Sequence, residues 1–264
     1  MLSVLTLNVW FAKLLMHDRT QALIRLIQVE KPHVVCLQEV VPYVADSLIA
    51  AFPTWGHSGF EGFAVNHGYG VLIMTRPDLA ASFTSYELES RMGRKLVVAK
   101  LPDLAVGSVH LESLNNHKWR VRQLQRCAQV LAGFSDALLV GDFNFDSTRN
   151  FKPPHVPLEN DDLNTSLPDF DDVWPKLRPK ELGLTYDSQT NPYIRKTETM
   201  RYDRVMARLK LWVANSIQLI GSVGEGDSDA QRIFLSDHFG VLAHFARPLS
   251  PHAMPWHPQV SRHT

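Results

Sequence analysis

Cysteine is scarce in this sequence, and its scarcity excludes a fold held together by disulfides. Only Cys36 and Cys127 occur among 264 residues, each inside an apolar segment and away from any histidine cluster. Small disulfide-rich secreted domains carry many more cysteines. We therefore expect both to be small hydrophobic side chains of the core, in a protein of a reducing compartment.

Long apolar runs are also missing. No segment approaches the roughly 18 consecutive apolar residues that a membrane-spanning helix needs. The first residues, 1–4, lack the basic start and small-residue cleavage site of a signal peptide. We therefore expect an intracellular protein without a membrane partner, cytoplasmic in a bacterium and nuclear or cytoplasmic in a eukaryote.

The sequence has no excess of charge and none of several common catalytic motifs. Lys and Arg together number 27, as do Asp and Glu, and a balanced total still permits a local basic groove. His-Glu-x-x-His, paired Cys-x-x-Cys, Gly-x-Ser-x-Gly and a phosphate-binding loop do not occur. Zinc hydrolases, serine hydrolases and NTPases therefore lack support.

Short apolar segments between turn residues predict about ten strands and a few helices. Strands are predicted at 3–9, 33–40, 69–74, 81–88, 95–101, 104–112, 137–140, 202–208, 211–220 and 239–247. Helices are predicted at 18–30, 42–52 and 116–134, a helical turn at 171–177, and loops at 53–68 and 149–169. Two of the strand pairs, 69–74 with 81–88 and 95–101 with 104–112, are predicted to be hairpins.

This pattern predicts an α/β (α+β) fold in which two sheets pack face to face and helices flank them. No linker divides the chain, so we expect one domain over 1–247. The tail, 248–264, has four prolines and few core residues, and we expect it to be poorly ordered.

The strand at 137–140 is the one around which the candidate site is organised. Gly141 permits a tight turn directly after it, and Asp142 and Asn144 follow. Side chains alternate along an extended chain, so these two are expected to point the same way and to hold and deprotonate a water. The alternative is that they only form the turn.

Polar side chains lie at the ends of several other buried strands: Asn8, Glu39, His110, Asp203, Asp237 and His238. Burial of so many without partners would cost several kcal/mol each, which indicates a shared site or a metal. Ordinary structural interpretations remain open. Glu39 could be a solvated strand end and His110 a hydrogen-bonded core histidine. Asp203 could pair with Arg201 or Arg204, and Asp237 could cap a turn.

Phosphate chemistry accounts for the whole set. A hard carboxylate such as Glu39 suits Mg²⁺ or Mn²⁺. His110 and His238 could donate to phosphate oxygens. A metal-assisted phosphodiesterase is therefore the predicted enzyme class.

The remaining groups could activate and position a water that attacks the phosphate. Asp142 could accept its proton while Asn144 holds it in line. Asp203 could fix the tautomer of His238 and raise its basicity.

The order of these motifs resembles the endonuclease/exonuclease/phosphatase superfamily over residues 3–246. The motifs that carry the resemblance are Leu7-Asn8-Val9, Leu37-Gln38-Glu39, His110-Leu111, Gly141-Asp142-Phe143-Asn144, Tyr202-Asp203-Arg204 and Ser236-Asp237-His238. The resemblance implies a DNase-I-like four-layer α/β sandwich of two mixed sheets.

Longer matches are similar to the tyrosyl-DNA phosphodiesterase 2 family within this superfamily. They lie at 92–96, 108–113, 172–174 and 184–192. The resemblance implies Mg²⁺-dependent hydrolysis of the bond between a topoisomerase tyrosine and a DNA 5′-phosphate, which leaves a 5′-phosphate end during DNA repair. The expected partner is a DNA 5′ end that bears a tyrosyl or peptide adduct, and the expected state is a monomer.

The resemblance also implies residue roles. Glu39 would be the metal ligand with Asp237 in the outer shell, and Asp142 with Asn144 the water-activating pair. Contacts to the phosphate would come from Asn8, His110 and His238, and the DNA groove would be lined by Tyr69, Arg94, Ser113 and Tyr186. Core packing is an equal alternative for the two tyrosines.

Three residues depart from the pattern of the animal enzymes. Trp10 stands where those enzymes have an Asp, Asp146 where they have an Arg, and Asn115 where an Arg follows the His-Leu-Glu-Ser-Thr sequence. DNA-end contacts at the last two positions are expected to be lost or relocated. Another nuclease, deadenylase or inositol phosphatase of the superfamily is an alternative, as is a non-catalytic DNA-binding module.

Overall fold

Apolar segments form two six-stranded sheets in the computed structural model, which describes residues 1–64, 67–226 and 232–248. The strands of the first sheet, in order across it, are β13 (Val213–Ile220), β14 (Gly240–Ala246), β1 (Leu2–Asn8), β2 (Val34–Val40), β4 (Gly70–Thr75) and β3 (Gly56–His57). Those of the second are β5 (Ser82–Glu87), β6 (Lys95–Lys100), β7 (Ala105–His110), β8 (Ala137–Asp142), β12 (Asp203–Arg208) and β9 (Asp171–Asp172).

The described residues outside these sheets form five helices and one small ribbon. The helices are α1 (Met16–Glu30), α2 (Pro42–Ala51), α3 (His117–Leu131), α4 (Asp161–Ser166) and α5 (Val173–Leu177). The ribbon pairs β10 (Tyr186–Asp187) with β11 (Thr199–Met200). None of the helices in this part of the chain is long and apolar enough to span a membrane.

Three apolar clusters create four layers. Val4 and Cys36 of the first sheet pack against Val140 of the second, so this cluster lies between the sheets. The opposite face of the first sheet packs on α1 and α2, and the opposite face of the second packs on α3. Because both faces of the central strands are buried, those strands are mostly apolar. The predicted four-layer α/β sandwich of two mixed sheets is confirmed.

Both cysteines are free and buried, as predicted. Cys36 lies between the sheets, and Cys127 lies on the buried face of α3. Burial in apolar surroundings raises the pKa of the Cys127 thiol to about 12. The thiolate is therefore strongly disfavoured, and the side chain acts as a small hydrophobe.

One predicted hairpin is wrong and the other is confirmed. The strands near 69–74 and 81–88 belong to different sheets, since β4 pairs with β2 whereas β5 pairs with β6. β4 is almost fully buried and β5 alternates between exposed and half-buried residues, which suits an edge. The turn signal between them could not reveal that the chain crosses from one sheet to the other. β6 and β7 form the second hairpin as expected.

The two predicted loops contain short regular elements. Residues 53–68 include β3, which pairs with β4 at the sheet edge, and 149–169 include α4. Both elements are too short to show a periodic apolar pattern. The predicted single domain over 1–247 stays a prediction, and the predicted tail from 249 onward lies outside the described residues.

Strand pairing brings the polar strand ends to one edge. β1 and β2 are parallel, as are β7 and β8, with His110 opposite Asp142 in the register. β12 runs antiparallel to β8 and places Asp203, its first residue, opposite Asp142 as well. Ends of strands from both sheets therefore converge on a single carboxylate.

Gly141 makes the approach of β7 and β8 possible just before that carboxylate. Its φ is 131°, and a Cβ at this position would lie 2.0 Å from the carbonyl oxygen of Val109. We predict that Gly141→Ala lowers the free energy of unfolding by more than about 2 kcal/mol, because it combines strained backbone with a backbone overlap. Urea unfolding measures this change.

Gly133→Ala is the matched control. A Cβ at Gly133 would meet no described atom within 4 Å, and its φ lies outside the left-handed region. We expect a change within about 1 kcal/mol. Equal effects of the two substitutions would contradict the account of Gly141.

Candidate active site

Local backbone geometry aims the side chains of Glu39, in β2, and Asn144, two residues after β8, into the candidate site. Glu39 has a φ of 57° at a register irregularity between β2 and β4, where a bulge redirects a side chain. Asn144 also has a φ of 57°, a conformation that asparagine tolerates better than most residues. The chain is thus a turn, not an extended strand, between Asp142 and Asn144. Both side chains nevertheless line the same cavity.

Asp142 is the centre of the arrangement and is 1% exposed. Its Oδ2 accepts a hydrogen bond from Asn8 Nδ2 at 3.0 Å, and its Oδ1 accepts one from the backbone N–H of Asn144 at 2.8 Å. The Nε2 atoms of His110 and His238 lie 3.5 Å and 4.0 Å from Oδ2. The carboxylate is therefore held by Asn8 and Asn144 and lies between two imidazoles.

His238 and Asp203 form a buried pair. The His238 Nδ1 atom lies 2.8 Å from Asp203 Oδ2, and Thr185 Oγ1 accepts the backbone N–H of Asp203 at 3.0 Å. Burial alone would lower the pKa of His238, but the carboxylates of Asp203, Asp142 and Asp237 outweigh it and hold that pKa well above its usual value. Burial also raises the pKa of Asp203 to about 6, against the opposing effect of His238.

Asp203 does not form the arginine pairs that were its alternative. Both neighbouring arginines bind Asp172 instead: Arg201 Nη2 lies 2.8 Å and Arg204 Nη1 3.3 Å from Asp172 Oδ2. That network joins β12 to β9, and the Asp203 carboxylate pairs with His238 instead.

Glu39 lines the cavity together with a second carboxylate, that of Asp237. Its Oε2 accepts the backbone N–H of Phe11 at 3.1 Å, and its Oε1 lies 3.8 Å from His110 Nε2. Burial and the nearby charge of Asp237 raise the pKa of Glu39 to about 7, and burial raises the pKa of Asp237 too. Two carboxylates whose charged forms are both disfavoured fit a site for a cation.

A second group of possible ligands is less suitable. Ligand atoms of Asp142, Asp203 and His238 lie within 4.8 Å of one another. However, the Nδ1 atom of His238 already bonds to Asp203, and the raised pKa of His238 means that the ring keeps its proton. A protonated ring nitrogen has no lone pair for a metal, so Glu39 with Asp237 is the better candidate.

A cavity of about 690 Å³ opens above these groups. Glu39, Asp142, Asp237 and His238 form its polar base. Its walls are mainly aromatic and apolar, with positive charge from Arg195 and Lys196 and negative charge from Glu198. The other lining residues are Trp10, Ala12, Leu14, Ser113, Leu114, Asn144, Phe151, Tyr186, Pro192, Tyr193 and Tyr202. Trp10 stacks on Tyr193 with ring centroids 5.5 Å apart.

The four residues expected to line a DNA groove divide into two pairs. Ser113 and Tyr186 line the cavity, and the Tyr186 ring lies edge-on to His238 at 5.0 Å. Arg94 is 4% exposed and bonds to His110, while Tyr69 stacks on Phe11 at 4.9 Å. The second pair therefore supports the site from beside His110.

The departures at Trp10, Asp146 and Asn115 have different consequences. Trp10 lines the cavity. Asp146 is buried and accepts hydrogen bonds from Thr148 and from the backbone N–H of Arg201, so it braces a loop. Asn115 is exposed.

Arg19 is a supporting residue that sequence reasoning missed. It is 3% exposed, and its guanidinium donates to carbonyl oxygens along 9–14 and to that of Leu235. These bonds fix the loop that carries Trp10 and the backbone N–H of Phe11. The signal was present, because Arg19 falls on the same helical face as Leu23 and Ile27.

We predict that Asp203→Asn lowers the pKa of His238. The carboxylate is a main cause of the raised value, so the imidazolium should lose its proton at a lower pH in the variant. A pH titration of the His238 ring signal by NMR measures the change. Asp103→Asn, at an exposed residue paired with Arg247, is the control and should leave this signal unchanged. An unaltered His238 pKa in Asp203→Asn would refute the pairing.

Comparisons with known proteins agree with the fold. The structure is similar to TDP2 of D. rerio complexed with single-strand DNA product, with a TM-score of 0.75, 24% identity and coverage of 93% of this chain and 98% of that one. A D. rerio TDP2 humanized by 14 mutations gives a TM-score of 0.74 and 25% identity, with coverage of 93% and 98%. A mannosyl-6-phosphatase of Bacteroides thetaiotaomicron gives 0.70 and 16%, with coverage of 93% and 100%.

Sequence comparison assigns the family. No protein of curated function matches the chain. The profile of the endonuclease/exonuclease/phosphatase family matches residues 5–238, and TDP2 structures are among the structural relatives, as the sequence motifs predicted. This chain belongs to the endonuclease/exonuclease/phosphatase family.

Proposed function

We propose that the protein is a Mg²⁺-dependent phosphodiesterase that hydrolyses the 5′-phosphotyrosyl bond between DNA and a trapped topoisomerase tyrosine, leaving a 5′-phosphate for DNA repair. The observation that carries this proposal is the position of Asp142, held by Asn8 and the Asn144 backbone between two imidazoles. This is the arrangement that a water-activating base beside a phosphate requires.

Glu39 would hold the metal ion, with Asp237 in its outer shell. Their oxygen ligands suit Mg²⁺ or Mn²⁺, and the raised pKa of Glu39 reflects a charge that a cation would stabilise. When bound, the ion would supply positive charge to a phosphoryl oxygen. The family, whose members are hydrolases, supports this choice.

Asp142 and Asn144 would act on the water. The Asn144 Nδ2 atom donates to the carbonyl oxygen of Leu111 at 3.0 Å, so its Oδ1 is left to accept a hydrogen bond from that water. Asp142 would accept the water's proton as the oxygen attacks phosphorus. Asn8 holds Asp142 in place through Nδ2, while its own Oδ1 accepts the backbone N–H of Trp10.

Two imidazoles, one positively charged and one neutral, would bind the phosphate. His238 is held protonated by Asp203, and it offers a charged donor from Nε2. His110 has a pKa well below its usual value because of burial and the Arg94 guanidinium, and it offers a neutral donor. The leaving tyrosyl oxygen has a pKa of about 10 as a free phenol, so it departs without strong need of an acid.

The cavity supports a tyrosyl-DNA end as the substrate. Arg195 and Lys196 can meet phosphates, and the stacked Trp10 and Tyr193 rings offer a surface for a base or a tyrosine. The similarity to a TDP2 complexed with single-strand DNA product points to the same class of ligand. A non-catalytic DNA-binding module would not need the buried acidic residues.

We predict that Asp142→Asn lowers turnover of a 5′-phosphotyrosyl oligonucleotide by about 10²-fold or more, because the base is lost while the shape is kept. Release of tyrosine in the presence of Mg²⁺ measures this. The matched control is Asp78→Asn, at an exposed residue paired with Arg76, which should keep full activity.

Parallel assays identify the substrate class. An abasic duplex, an RNA tail and an inositol polyphosphate represent the other activities that this chemistry allows. Turnover of one of these with no release of tyrosine would replace the proposed substrate. Near-normal turnover by Asp142→Asn would overturn the mechanism.

We predict that Glu39→Gln weakens Mg²⁺ binding and that binding in the unaltered protein is tighter at pH 8 than at pH 6. The pKa of Glu39 is about 7 without metal, so at the lower pH the ion must displace a proton from the carboxyl group. Calorimetric titration measures both effects.

The matched control for the metal site is Glu87→Gln, at an exposed residue paired with Lys95. It should bind Mg²⁺ as the unaltered protein does. Activity of the unaltered protein that persists in EDTA would rule out the metal site.

A further inference from the structure

The buried side chain of Arg94 contacts a candidate catalytic histidine directly. Its Nη1 atom lies 2.9 Å from His110 Nδ1, and its Nη2 donates to Ser113 Oγ at 2.7 Å. The guanidinium also lies over the Tyr69 ring, with Cζ 5.8 Å from the ring centroid. Arg94 and His110 are only 4% and 3% exposed.

The chemistry of the guanidinium settles the direction of the first bond. Arginine carries only donors and stays protonated in proteins, so His110 Nδ1 must accept. A hydrogen on Nδ1 would place two N–H groups against each other. The His110 proton therefore lies on Nε2, the atom that faces Asp142 Oδ2 at 3.5 Å and Glu39 Oε1 at 3.8 Å.

A closed ring of hydrogen bonds holds Arg94 against His110. The Glu112 carboxylate accepts the Ser90 hydroxyl at 2.6 Å and the backbone N–H of Arg91 at 3.0 Å. Ser90 Oγ in turn accepts the backbone N–H of Arg94 at 3.1 Å. Glu112 lies two residues after His110, so this set of hydrogen bonds begins and ends on the same segment of the chain.

Helix α3 anchors this ring to the rest of the fold. Gln123 Oε1 accepts the backbone N–H of Glu112 at 2.8 Å, and Gln123 Nε2 donates to Glu112 Oε2 at 3.1 Å. The sequence His110-Leu111-Glu112-Ser113 therefore acts as one unit. Its histidine and serine accept from Arg94, its glutamate holds the turn that carries Arg94, and the Leu111 carbonyl oxygen accepts from Asn144.

We propose that Arg94 is a positioning residue that fixes His110 in the tautomer with its proton on Nε2, so that His110 presents a neutral donor to a phosphate oxygen. The expected effect of Arg94 on turnover rests on the function proposed above. A direct contact of Arg94 with DNA is the competing role. The burial of Arg94 and the use of its Nη atoms on His110 and Ser113 favour positioning.

NMR of ring-labelled histidine tests the tautomer without any substrate. In the unaltered protein, we expect the His110 Nδ1 signal to be that of an unprotonated nitrogen and the Nε2 signal that of an N–H. In Arg94→Met, which removes every donor, we expect a mixture of tautomers. An Nδ1–H form in the unaltered protein would overturn the proposal, whatever the true substrate is.

A double-mutant cycle tests the role in turnover, with p-nitrophenyl thymidine 5′-phosphate as the substrate. We expect Arg94→Met to lower kcat about 10- to 100-fold with little change in KM, and Arg94→Lys to recover part of the loss. In a His110→Ala background, Arg94→Met should cause little further loss, because its effect passes through His110.

The controls separate positioning from binding and from misfolding. Arg126→Gln, at an exposed arginine of α3, should match the unaltered protein. Independent, multiplicative losses in the cycle, or a loss carried by KM, would show that Arg94 contacts the substrate and would overturn the proposal. If Arg94→Met does not fold, the tautomer of His110 in the unaltered protein and the kinetics of Arg94→Lys decide between positioning and substrate contact.

Discussion

A hydrogen bond of 3.0 Å between Asn8 and Asp142 joins the two sheets where the candidate site lies. Asn8 ends β1 of the first sheet and Asp142 ends β8 of the second, so this contact depends on the alignment of both layers. The apolar cluster between the sheets supplies that alignment, and Gly141 lets β8 approach β7 closely enough to complete it. The site is therefore a property of the sandwich as a whole, since no single strand contains it.

Two histidines on either side of Asp142 are driven to opposite protonation states by their neighbours. A carboxylate partner, Asp203, raises the pKa of His238, whereas burial and a guanidinium partner, Arg94, lower that of His110. One site thus holds a charged donor and a neutral donor at similar distances from the same carboxylate. Asp203 and Arg94 contribute to this difference without lining the cavity, so supporting residues matter alongside those on its surface.

The sequence predicted the layers and the polar edge well, because both follow from simple patterns. Continuous apolar strands require two covered faces, and buried strands that end in Asn8, Asp142 or His110 imply a shared polar site. The family motifs added the outer-shell role of Asp237. These features are local in sequence, or carried by short motifs.

What the sequence could not predict depends on contacts between distant segments. The separation of β4 and β5 into different sheets is a choice of partner strand, and turn residues do not encode it. The orientation of the Arg94 side chain follows from a ring of hydrogen bonds through Ser90 and Glu112 that exists only in the folded chain. Arg19 was visible on a helix face, but its carbonyl partners, including that of Leu235, were not.

Hydrolysis of a 5′-phosphotyrosyl oligonucleotide in heavy-oxygen water tests the central claim most directly. If Asp142 deprotonates a water that attacks phosphorus, mass spectrometry should find one heavy oxygen in the DNA 5′-phosphate and none in the released tyrosine. The label should appear at least about 10²-fold more slowly with Asp142→Asn. Heavy oxygen in the tyrosine, or labelling that does not depend on Asp142, would contradict the account.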